Sequence, residues 1–164
     1  MSSALARHLL ALLLGLGAAP ALAQVDIAVE VTPAGEGLFH YAYSLTNLGS
    51  ADVAIVSIAV PPDPLAIDNL MAPAGFLASF DPGLGFLDFV EATQSFEPAV
   101  GVSGFSFDSP FGPGSAGYTA LDANGLMFSG NTTAPVPEPT SALSLAACLT
   151  LLVYGRGRTR PREH

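Results

Sequence analysis

VDIAVEVTPAGEGLFHYAYSLTN, residues 25–47, alternates with the period of a strand, breaks at a turn, and alternates again. Val25, Ile27, Val29 and Val31 fall on one side, and Asp26, Ala28, Glu30 and Thr32 on the other, which describes a half-buried strand over Val25–Thr32. Pro33-Ala34-Gly35-Glu36-Gly37 is a turn. Leu38–Thr46 then places Phe39, Tyr41, Tyr43 and Leu45 opposite His40, Ala42 and Ser44. A second turn, Asn47–Asp52, leads into Val53–Val60, which is apolar on both faces as a central strand should be. These three segments predict a meander. Further strands are expected at Phe76–Phe80, Phe86–Thr93, Val102–Asp108, Gly117–Asp122 and Leu126–Ser129. Seven or eight short strands at this spacing predict an all-β, antiparallel β-sandwich, Ig-like or jelly-roll-like. Its core is expected from the Val/Ile face of the first strand and the Phe/Tyr face of the second.

Composition supports many turns and few helices. Glycine (17) and proline (14) are abundant in the 164 residues, half the chain is hydrophobic, and 12% is charged. The five arginines are confined to the ends, at Arg7, Arg156, Arg158, Arg160 and Arg162. Between Asp26 and Asp122 stand twelve carboxylates, with His40 as the one basic residue. A chain so anionic, with no basic patch, is not built for nucleic acid or for an anionic membrane surface. Cys148 is the single cysteine, so no intramolecular disulfide forms and the core must hold by packing.

Both ends read as addresses. Residues 1–23 have a short basic region at Arg7-His8, an apolar run Leu9–Ala19, and small residues at Ala21 and Ala23, which a signal peptidase recognises. This predicts a secretory signal peptide cleaved after Ala23. At the other end, VPEPTSALSLAACLTLLVYGRGRTR covers Val136–Arg160. Pro137-Glu138-Pro139 is a stiff extended tripeptide, because each proline fixes its own φ and biases its predecessor. Residues 141–155 form an uncharged run, read as a single hydrophobic helix. Its length of about 22 Å is marginal against a hydrocarbon core of roughly 30 Å. Residues 156–164 are basic. Arginines at both ends fit a topology with both ends inside and the middle outside.

The order of tripeptide, hydrophobic helix and arginine cluster resembles the PEP-CTERM sorting signal of bacterial exported proteins, with Val136, Thr140 and Ser141 matching its usual flanks. The resemblance implies processing by an exosortase, an integral membrane cysteine transpeptidase-like enzyme. Pro137, Glu138 and Pro139 would be the sorting motif, and Arg156, Arg158 and Arg160 the basic stop. It further implies transient residence in the inner membrane through the helix, then the cell surface or extracellular matrix, in association with exopolysaccharide. The arginines depart from the family pattern in being interspersed, RGRTRPR. A GPI signal lacks the basic end, and no L-P-x-T-G-like pentapeptide supports a cell-wall sortase.

Residues 24–134 therefore constitute the exported domain, with 135–164 as the sorting signal. The domain offers little chemistry. It has no cysteine, lysine or arginine, which removes thiol nucleophiles, Schiff bases and arginine clamps, and its one histidine excludes a multi-histidine metal site. No G-x-S-x-G accompanies His40, which reads as a solvent-facing strand residue. Asp122-Ala123-Asn124-Gly125 begins like a calcium loop, but the later ligands do not follow, and a plain turn is the reading. Catalytic residues, metal and cofactor are all expected to be none. The expectation is a non-catalytic exported surface or matrix protein. The alternative is a carbohydrate- or cation-binding sandwich with Tyr41, Tyr43, Tyr118 and Phe111 as a platform, although alternation assigns Tyr41 and Tyr43 to the core; an enzyme using a pair of the twelve carboxylates for glycoside hydrolysis is a distant third reading.

Overall fold

A computed structural model describes residues 24–137. The alternation of Val25–Asn47 becomes a long hairpin, β1 (Val25–Gly35) and β2 (Leu38–Asn47), paired antiparallel with Val29 opposite Tyr43 and Val31 opposite Tyr41. The connection needs left-handed backbone at Gly35, Glu36 and Gly37, with φ of 88°, 52° and 80°. Glycine at two of these three positions lowers the cost of the turn. Seven more strands follow: β3 (Val53–Ala59), β4 (Asp68–Met71), β5 (Phe76–Asp81), β6 (Phe86–Glu91), β7 (Gly101–Ser109), β8 (Pro113–Asp122) and β9 (Met127–Pro135). They form two antiparallel sheets, one in the order β1-β2-β7-β4 and the other β5-β6-β3-β8-β9.

The expected meander is not formed. β3 leaves the hairpin and crosses to the other sheet, where it lies between β6 and β8, and β7 takes the place beside β2. The reason is burial. With Val53, Val56 and Ile58 buried and apolar residues on both faces, β3 belongs at the centre of the larger sheet, not at the edge of a hairpin. The core is also wider than the first two strands alone would make it. β1 and β2 belong to one sheet, so the facing layer comes from β3, β5, β6 and β8. Rows run across strands, Val29–Tyr43–Phe105 in the first sheet and Phe89–Val56–Ala120 in the second.

The interior is aromatic. Tyr41 stacks on Phe107 at 5.0 Å, Phe89 on Phe105 at 4.3 Å, and Phe76 tilts against Phe96 at 4.6 Å. Such contacts add to area burial, which for each fully buried Phe is worth about 1.5–3 kcal/mol. Three phenols tie the layers and loops together from inside. Tyr43 donates to the Thr133 carbonyl on β9 at 2.9 Å, Tyr41 to Phe111 at 2.9 Å, and Tyr118 of β8 to Val25 on β1. Buried Asn47 closes the lower end: its amide donates to Ala51 and Phe96, each at 2.8 Å, and its oxygen accepts from Gly49 at 2.8 Å. A buried amide satisfied in this way is tolerated in an apolar core.

Nine strands thus replace the seven or eight expected. β4 is the addition, β6 stops at Glu91 instead of Thr93, and β8 and β9 are longer than read. The expected C-terminal helix over residues 141–155 lies outside the described residues. Among the described residues no helix is long and apolar enough to cross a membrane.

Candidate functional site

The site with the clearest sequence argument is the tail, and the described residues end within it. β9 runs on to Pro135, which is fully buried and opposite Pro113. Val136 N–H then donates to Gly112 at 3.0 Å, and the Val136 side chain fills the notch over Gly114, where an added Cβ would lie 2.8 Å from it. Pro137 follows as an exposed residue beside Pro61 and Pro62, at the rim of a depression of about 290 Å³. The chain therefore leaves the sandwich from a fixed point, and Pro137 is the first residue free of the sheet. Glu138, Pro139, Arg156, Arg158 and Arg160, and Ala21 and Ala23 of the signal-peptidase motif, lie outside the described residues.

A polar cluster occupies the outer face of the four-stranded sheet. Register aligns Thr32, His40, Asp108 and Asp68 across β1, β2, β7 and β4. His40 Nδ1 and Asp108 Oδ1 are 2.7 Å apart, and Asn69 Nδ2 donates to Asp108 Oδ2 at 2.8 Å. The Asn69 amide, then the His40 hydrogen bond, hold the Asp108 carboxyl below its ordinary pKa. His40 is thus not simply solvated, as the sequence suggested; it is a partly exposed strand residue paired across the sheet. Histidine and aspartate make the base-and-carboxylate half of a hydrolytic triad, but among the described residues no hydroxyl is hydrogen-bonded to His40. The pairing escaped sequence reading because β2 and β7 are 68 positions apart at this contact. Its one signal was Asp108 alternating with the core residues Phe105 and Phe107.

The other candidates resolve into structure. Asp122 Oδ1 accepts the N–H groups of Asn124 at 2.9 Å and Leu126 at 2.8 Å, so this carboxylate shapes the β8–β9 turn. Among the described residues no group of three or more His, Cys, Asp or Glu side chains could hold a metal ion. Tyr41, Tyr43 and Tyr118 are buried with their hydroxyls bonded inward, and Phe111 is half-buried, so the four do not form an external platform. Burial raises all three phenol pKa values, that of Tyr41 to about 12. Tyr41 adds to the effect on Tyr43, and Asp26 to that on Tyr118. A shallow groove of about 310 Å³ does exist on the outer face of the five-stranded sheet, where Gly117 and Gly130 leave space between Phe86 and Ser129. Its lining carries hydroxyls but no ionisable side chain other than the inward-bonded Tyr118.

No family model matches the chain, and no curated protein matches it. Solved structures similar to it include a GH20 exo-β-N-acetylglucosaminidase from Vibrio harveyi in complex with N-acetylglucosamine. The likeness has 9% identity and a TM-score of 0.41, over 66% of this chain and 17% of that one. An inactive mutant of the same enzyme is similar at 11% identity and a TM-score of 0.40, over the same shares. This chain spans about a sixth of those enzymes, and nothing of their activity is carried to it.

Proposed function

We propose that this chain is a non-catalytic, exported surface or extracellular-matrix protein whose PEP-CTERM tail is sorted and processed by an exosortase and which associates with exopolysaccharide. Its domain is an Ig-like or jelly-roll-like sandwich, and its C-terminal run is a hydrophobic helix that holds the precursor in the inner membrane until processing. The observation that supports this best is the exit geometry. Pro135 is buried, Val136 is bonded to Gly112, and Pro137 stands free at the end of a rigid strand. A processing enzyme that reads Pro137-Glu138-Pro139 needs an extended, unpaired segment held clear of folded structure, and two prolines supply one. The body between the addresses fits a structural role, with an aromatic core tied across its layers by inward-bonded phenols. The binding-module alternative draws no support from Tyr41, Tyr43 and Tyr118, which serve the interior.

Intact mass of the protein recovered separately from membrane and extracellular fractions of its host tests the reading. The expected extracellular species begins at Gln24 and ends near Pro139, with or without added mass. A species found only in the membrane and still carrying His164 would reduce the tail to an ordinary anchor and remove the matrix reading.

A further inference from the structure

We infer that Gln24 is a modification site: once the signal peptide is removed, its side chain closes on its own new amine to a pyroglutamyl ring seated on Gly49, which leaves the released domain with no primary amine. The inference rests on the cleavage after Ala23 proposed above. Cleavage there makes Gln24 the first residue, and an N-terminal glutamine carries its amine and its amide carbon on one short chain, separated by Cα, Cβ and Cγ. Two groups held so close react as one molecule, without the cost of bringing a nucleophile in from solution. The neutral amine nitrogen attacks Cδ, the N–Cδ bond forms, the Cδ–Nε2 bond breaks, and one amine proton leaves with Nε2 as ammonia. Nothing is oxidised or reduced, and no co-reactant is consumed.

The structure supplies the seat. Gln24 is not a loose end: its carbonyl accepts Leu48 N–H at 2.7 Å, and the next residue, Val25, is buried with its carbonyl taken by Tyr118. The Gln24 side chain lies across Gly49, where an added Cβ would fall 2.7 Å from Nε2, 2.8 Å from Cδ and 2.9 Å from Cγ. Gly49 is itself fixed, because its N–H donates to Oδ1 of buried Asn47 at 2.8 Å. The missing Cβ therefore leaves a shelf for a flat group, and a five-membered lactam is flatter than the open side chain and lacks Nε2. Gln24 Oε1 is also buried, with no hydrogen-bond partner. An open glutamine at the chain end would bring a charged amine and two amide N–H groups to this half-buried position. The lactam keeps one N–H and the carbonyl and carries no charge, so fewer polar groups have to be satisfied there. The consequence reaches the whole domain. The chain has no lysine, so the terminal amine is the one primary amine that a species running from Gln24 to Pro139 can carry. Closing the ring removes it, and with it the group by which an aminopeptidase engages a chain end.

The test takes the extracellular species of the full-length chain expressed in its host. It is treated with an amine-reactive ester before any digestion, and the N-terminal peptide released by cleavage at acidic residues is then weighed. The expected peptide begins at Gln24, is lighter than the open form by one ammonia, and carries no label. Gln24→Ser, which cannot close the ring, should give a peptide of full mass that takes the label completely. A wild-type peptide that begins at Gln24 with its full mass and takes the label would overturn the ring while leaving the signal-peptide reading in place. A first residue other than Gln24 would overturn both. The seat is tested with Gly49→Ala in the cyclised protein. Hydrogen exchange at the Leu48 amide should become faster, with the Phe105 and Phe107 amides unchanged. Unaltered protection at Leu48 would overturn the seat on Gly49.

Discussion

Tyr43 illustrates how one residue serves both core and edge. Its ring packs against Phe89 and Phe107 within the sandwich while its hydroxyl reaches the outermost strand of the opposite sheet. Tyr118 does the reverse, from β8 to the first residue of β1. In both cases a phenol supplies a large apolar surface and one donor, which is what a carbonyl at a sheet edge lacks. Tyr43→Phe should therefore cost about 1 kcal/mol at neutral pH, read as a lower urea midpoint with unchanged m-value. The same phenols give the fold an alkaline limit. Burial raises their pKa values above the unfolded value of about 10, so the neutral form is the one the fold accepts. Their stabilisation is complete below that pH and is lost as pH rises through 10 toward the value of about 12 held by Tyr41. The urea midpoint should be level to about pH 9.5 and then fall, less steeply for Tyr43→Phe. A midpoint that stays level to pH 12, or an identical fall in the variant, would refute the assignment.

At the scale of elements, legibility in the sequence followed alternation. β1, β2 and β3 announce themselves because one face of each, or both, is apolar at period two; β2 and β3 are read to within one residue at each end, while β1 runs three residues past Thr32 to Gly35. β4 does not: Asp68-Asn69-Leu70-Met71 is short, and Asn69 takes a left-handed φ of 52° that breaks the pleat. The front of β8, Pro113-Gly114-Ser115-Ala116, and the end of β9, Asn131–Pro135, lie outside the strands expected from sequence at Gly117–Asp122 and Leu126–Ser129. They are strands because each pairs the other, a tertiary cause that local propensity does not carry. The assignment of strands to sheets was illegible for the same reason. The proposed tail motif is a local pattern of the sequence, most of it outside the described residues, whereas the anchoring of its exit depends on Gly114. Gly114→Ala places a Cβ 2.8 Å from the stiff, β-branched Val136, which must move. The expected outcome is faster hydrogen exchange at the Val136 amide, with Phe105 and Phe107 amides unchanged. Unaltered protection at Val136 would show that the notch does not hold the exit.

The whole molecule has a direction. Val25 starts beside Asn47, which bonds to Ala51, and the neighbouring Asp52 carbonyl accepts Ala123 N–H at 2.8 Å, so the chain enters at the end that holds the β8–β9 turn. It leaves at the other end, where Pro135 pairs with Pro113. The two ends are separated by the length of β9, nine residues or roughly 30 Å. A precursor tethered by both its hydrophobic ends would have to lie along the membrane, because few residues separate either tether from the sandwich. On the proposed reading, cleavage after Ala23 would leave it held at the exit end alone, with the entry end standing away from the bilayer. Single cysteines in the Cys148→Ser background report this. Asn124→Cys lies in the exposed turn at the entry end, and Pro62→Cys lies beside Pro137 at the exit. In membrane-bound protein with its tail intact, a bulky maleimide should label position 124 several times faster than position 62. The two rates should converge in the released extracellular species. Faster or equal labelling at position 62 in the membrane would mean that the domain does not stand on its exit, and the proposed access of a processing enzyme to Pro137 would need a different geometry.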